Sequence, residues 1–135
     1  VGLSANPMRP SYFVGYYLQR MGFDVFPVNP RYEEILGVKC YPALASLPEA
    51  PEVVDVFRRP EDVPRIAEEA LSAGAKALWL QFGVVNEDAA RRAREAGLLV
   101  VMDRCMKIEH GRYNGGLHWA GINSGVISSR RIPTL

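Results

Sequence analysis

Apolar residues occur along the chain in two forms, short unbroken runs and stripes at helical spacing. The runs are VGL at 1–3, VFPV at 25–28, VVDVF at 53–57, ALWL at 77–80 and LLVVM at 98–102. Between them, Phe13, Val14, Tyr17, Leu18 and Met21 predict one face of a helix over 11–21, with Ser11 as its cap and Gly22 as its stop. Val63, Ile66, Ala67, Ala70 and Leu71 form the cleanest stripe, after Pro60 and before Gly74. Asn86 suits the cap of a third helix, with Glu87 and Asp88 favourable in its first turn. Its small residues Ala89, Ala90, Ala93 and Ala96 allow close approach to a sheet, and Gly97 ends it. Residues 31–36 read as a short helical turn. Residues 37–51, with Gly37, Pro42, Pro48 and Pro51, read as connection with a short strand near 38–41.

Strands that are apolar throughout, alternating with helices, require a parallel sheet covered on both faces. Right-handed crossovers then predict an α/β, Rossmann-like, doubly wound domain. The expected sheet is mainly parallel and five- or six-stranded. The domain is expected over 1–113. The tail over 114–135 is glycine-rich and lacks a helical period; it reads as a surface segment.

At 135 residues the chain has room for one domain and a real core. Sixteen basic residues against fifteen acidic give a net charge of +1, which argues against a general nucleic-acid binder. No apolar run approaches the roughly 20 residues of a membrane span. No secretory signal is visible, and two cysteines make no disulfide framework, so a cytoplasmic protein is expected.

Ligands of a doubly wound sheet bind beyond the carboxyl ends of its strands. That rule selects the loops at 4–10, 29–32, 58–60, 83–86 and 103–106. They carry Arg9, Arg31, Arg58, Arg59 and Arg104, which suit an anionic phosphate; the plain alternative is a set of solvated surface arginines. The first turn has one glycine, Gly2, where a dinucleotide fingerprint has three. The second apolar run ends in Asn29, near Arg31, and not in the acid that accepts from the ribose of NAD. Both features favour a nucleotide with an extra phosphate, either NADP or coenzyme A. Cys105, Glu109 and His110 lie close enough in sequence to raise a reactive pair; a packed cysteine and a solvated histidine are the simpler reading. A P-loop and a metal-binding acidic cluster are both missing from the sequence.

PVNP at 27–30, DVFRRPEDVP at 55–64, GAKALWLQFGVVNEDAA at 74–90 and AGLLVVMDRCMKIEH at 96–110 stand in order. Together they resemble the small stand-alone CoA-binding proteins, which are similar to the nucleotide-binding domain of the succinyl-CoA synthetase alpha subunit. The opening SANPMRPS resembles that family's first loop. Family members usually carry a helix and the start of the first strand before this point, so the chain is expected to begin inside that strand. The resemblance implies that Ser4, Asn6, Pro7, Met8 and Arg9 wrap a diphosphate, with Ser11 and the first-helix amides facing it. It implies Asn29, Pro30 and Arg31 near the adenosine and its 3′-phosphate. It implies Phe57, Arg58 and Arg59 beside the adenine, and Gln81, Phe82 and Gly83 along the pantetheine arm. The synthetase reaction needs a phosphohistidine domain and a partner subunit, so the implied activity is binding of CoA or acyl-CoA without catalysis. The alternatives are an NADP-dependent oxidoreductase and a CoA-sensing module that acts on a protein partner or as a homo-oligomer.

Overall fold

In the computed structural model, which describes residues 1–114, the chain runs α1 (Pro10–Arg20), β1 (Glu34–Ile35), β2 (Val38–Lys39), β3 (Val53–Val56), α2 (Val63–Ser72), β4 (Ala77–Leu80), α3 (Glu87–Glu95), β5 (Leu99–Val101) and α4 (Met106–Asn114). The last three apolar runs become a parallel sheet in the order β3-β4-β5. Val54 pairs with Leu78 and Val56 with Leu80; Leu78 then pairs with Val100. Val56, Leu78 and Leu80 are fully buried against Val63, Ile66 and Ala70 of α2, with Ala89 and Ala93 of α3 in the same core. A separate cluster joins α1 to the start of α4, where Val14, Leu18 and Cys105 pack with Phe57, Phe82 and Met106.

The sheet is narrower than expected. Among the described residues the parallel sheet has three strands, not five or six, and β1 and β2 form a separate antiparallel pair. The first two runs still lie in line with them. Val1 donates to the Asp55 carbonyl at 2.7 Å and accepts from the Phe57 amide at 2.9 Å, while the Gly2 amide donates to Val28 at 2.9 Å. Val28 in turn bridges to Tyr41 in parallel. These segments are too short for a ladder, and Pro27 has no amide to donate. Their lateral order, Tyr41, Val28, Gly2, β3, β4, β5, follows the doubly wound arrangement.

Three local readings need correction. Residues 31–36 do not form a helical turn. Glu34 pairs with Lys39 in an antiparallel hairpin, turned by Leu36 at φ 55° and Gly37 at φ 74°. Two successive positive φ values are the signature of the hairpin turn whose twist matches the strands. The helix at 11–21 starts at Pro10, so Ser11 is not its cap; Arg9 takes that place, with Pro at the first position. Its buried face is Ser11, Val14, Gly15 and Leu18, with Phe13 and Met21 half exposed. Helix α4 has no apolar stripe and was not foreseen. Its first amide, at Met106, donates to Gln81 Oε1 at 3.0 Å, a tertiary anchor that local pattern cannot show. The tail at 115–135, with its His118, lies outside the described residues. Among the described residues, no helix is long and apolar enough to cross a membrane.

Candidate functional site

The loop between Gly2 and α1 is built from small polar side chains that bond backbone amides. Ser11 Oγ accepts from the Ser4 amide, Ser4 Oγ from the Asn6 amide, and Asn6 Oδ1 from the Met8 amide, each at 3.0 Å. Such side-chain turns replace the glycines of a dinucleotide loop. Pro7, Met8 and Arg9 are left at the exposed rim. The first turn of α1 holds no acid, whereas α3 fills its own with Glu87 and Asp88. The positive end of α1 is therefore uncompensated from within the helix.

Asn29 ties the second loop to the first. Its Nδ2 donates to the Leu3 carbonyl, and its Oδ1 accepts from the Arg31 amide, both at 3.0 Å. An acid at this position could not donate the first of these bonds. Pro30 and Arg31 project at the surface. Among the described residues, no ion pair engages Arg9 or Arg31.

The third loop closes against the first turn. Gly2 has φ +83°, and a Cβ there would lie 2.7 Å from the Phe57 carbonyl oxygen and 2.9 Å from Arg58 Cδ. Only glycine fits, because the Phe57 backbone carbonyl stands in the way and φ is positive. Arg58 and Arg59 both turn to Asp62, at 3.3 and 3.4 Å, and Arg59 also pairs with Glu61. Asp62 was missed as a site residue; its signal was the spacing of three and four residues from the two arginines.

At the far side, Gln81 is buried and anchors α4, and Phe82 shares an apolar cluster with Phe57 and Cys105. The Gly83 amide donates to Asp103 Oδ1 at 2.9 Å. Asp103 adopts φ 58° and was another missed residue. Asn86 caps α3 through Ala89, and its Nδ2 also reaches the Pro60 carbonyl at 3.0 Å, linking two loops. Cys105 and His110 do not pair, and the simpler reading of Cys105 as a packed cysteine holds. His110 Nδ1 bonds Tyr17 Oη at 2.7 Å, while Cys105 is buried among apolar neighbours. Arg104 lies near Glu109 at 3.8 Å. The described residues hold no cluster of three metal-ligating side chains.

A cavity of about 600 Å³ opens where residues 49–53 lead into β3, with Leu3 and Phe57 also on its wall. Its wall carries Asp24, Glu49, Glu52 and Asp55, with no arginine or lysine. Coulomb repulsion makes it unsuited to an anionic phosphate. The strand-end loops, with their arginines, are the better candidate.

A parallel sheet whose carboxyl ends carry hydrogen-bonded turns ahead of an acid-free helix start defines a Rossmann-like nucleotide-binding domain. More narrowly, the chain belongs to the CoA-binding domain family, whose family model matches residues 1–111. It is 43% identical to the uncharacterized protein YneT of Bacillus subtilis over 110 residues, 82% of each chain. A solved structure of a hypothetical protein from Pyrococcus horikoshii shares 46% identity and a TM-score of 0.82, over 84% of this chain and 80% of that one. Acetate–CoA ligase [ADP-forming] II of Archaeoglobus fulgidus is 25% identical over 95 residues. That match covers 69% of this chain and only 14% of the ligase.

Proposed function

We propose that the chain binds coenzyme A or an acyl-CoA across the carboxyl ends of its strands, without a reaction of its own. The family match over residues 1–111 carries this reading, because it spans every loop in question. The ligase relative, whose name contains CoA, supports it. In this reading Ser4, Asn6, Pro7, Met8 and Arg9 wrap the diphosphate, and Ser11 holds that loop onto α1 at its positive end. Asn29, Pro30 and Arg31 border the adenosine and its 3′-phosphate. Phe57, Arg58 and Arg59 flank the adenine. Gln81, Phe82 and Gly83 run along the pantetheine arm, where the Phe57–Phe82 cluster offers apolar surface.

Arg9 and Arg31, the arginines of the proposed site that no ion pair engages among the described residues, test the assignment separately. Arg31→Ala should weaken CoA by about 1.5–3 kcal/mol, roughly ten- to a hundredfold, and leave dephospho-CoA nearly unchanged. Arg9→Ala should weaken both ligands alike. Titration calorimetry of the two variants with both ligands reads the difference. An equal loss of both ligands in Arg31→Ala refutes its place at the 3′-phosphate.

A further inference from the structure

Arg58 and Arg59 stand at the edge of the proposed site, yet their charge is already engaged. Asp62 Oδ2 lies 3.3 Å from Arg58 Nη2 and 3.4 Å from Arg59 Nε. Its side chain keeps only 15% exposure, against 41% and 70% for the two arginines. Asp62 caps no helix: its carboxylate makes no bond to the amides of α2 or of the 3-10 turn Pro60–Asp62 ahead of it. Both of its assigned contacts are to arginines. Burial pushes the Asp62 carboxyl up. The hydrogen bond from Arg59, with the charges of Arg59, Arg58 and Arg65, outweighs that and holds it below the ordinary value.

The two arginines are not equivalent. Arg59 also has Glu61, at 3.5 Å, and keeps a partner if Asp62 is neutralised. Arg58 pairs with Asp62 alone among the described residues. The stem of Arg58 crosses Gly2, with its Cδ 2.9 Å from where a Cβ would stand. That contact lays the Arg58 stem against the turn that leads into the loop assigned to the diphosphate. A phosphate and a carboxylate compete for the same planar fork of donors.

We infer that Asp62 is a specificity-determining residue, an internal carboxylate that holds Arg58 until a ligand phosphate displaces it. The inference rests on the proposed strand-end site and deepens it. Release of an exposed ion pair is inexpensive, so Asp62 lowers phosphate affinity modestly and does not block the site. A ligand without a phosphate leaves the Arg58–Asp62 pair in place and is unaffected by it.

The test compares the parent chain, Asp62→Asn, and Asp62→Asn combined with Arg58→Ala. Each is titrated with CoA, inorganic pyrophosphate and pantetheine. Asp62→Asn should bind CoA and pyrophosphate about three- to tenfold more tightly, with pantetheine unchanged. The gain should vanish in the double variant. Thermal unfolding of each protein confirms that the fold is retained. Unchanged or weaker phosphate binding in folded Asp62→Asn overturns the inference, as does a gain that survives Arg58→Ala. If neither the parent chain nor Asp62→Asn binds CoA while pyrophosphate still shows the gain, the CoA reading fails and the role of Asp62 stands.

Discussion

Single side chains here hold the site by what they accept as much as by what they donate. Ser4, Ser11, Asn6 and Asn29 each bond a loop amide or carbonyl, so a turn with one glycine still has a fixed shape. Asp55 is the exception. Its Oδ1 is buried on β3 without a hydrogen-bond partner among the described residues. Burial raises its carboxyl from 3.8 to about 7, against the weaker pull of the Val1 ammonium and the Val56 amide. A folded value above the unfolded one means that the folded state keeps the proton longer. Stability from this group is full below the unfolded value and is lost as pH rises to about 7. Asp55→Asn should remove that slope and raise Tm at pH 8 by several degrees. The buried ammonium of Val1, pushed down by burial, shifts stability in the opposite sense. The difference between wild type and variant reports Asp55 together with its coupling to that ammonium. Thermal unfolding from pH 5 to pH 8 measures it, and an unchanged slope in the variant would contradict the assignment.

Elements are joined across the strand ends by a few polar ties. Asn86 both caps α3 and bonds the Pro60 carbonyl of the third loop. Asn86→Ala should cost about 1–2 kcal/mol, the loss of a cap and a half-buried bond. Urea unfolding gives the number; an unchanged midpoint would show that neither tie matters. The cap was legible in sequence because Asn, Glu and Asp precede an alanine stripe. The stripe of α2 was legible too, except that Leu71 remains partly exposed. Helix α4 was not, because what fixes its start is Gln81, twenty-five residues earlier. The hairpin at Leu36–Gly37 was missed because a positive φ at Leu36 is rare, and Glu33 and Glu34 looked helical. Asp62 and Asp103 escaped notice because acids were not sought in a site chosen for its arginines.

At the scale of the molecule, charge separates two regions. The net charge is near zero, yet the strand-end loops gather arginines while the cavity beside residues 49–53 gathers acids. That asymmetry favours the loops over the cavity for an anionic ligand. The pattern of runs and stripes was enough to predict the parallel α/β architecture, since apolar strands without alternation need cover on both faces. The width of the sheet was not predictable from it, because strand pairing depends on how many amides each short run can offer. The central claim is that the strand-end site takes CoA and not a nicotinamide dinucleotide. Titration calorimetry with CoA, NADP and NAD side by side tests it most directly. CoA should bind with micromolar affinity, and NAD and NADP should not bind. Binding of NADP without CoA would contradict that claim.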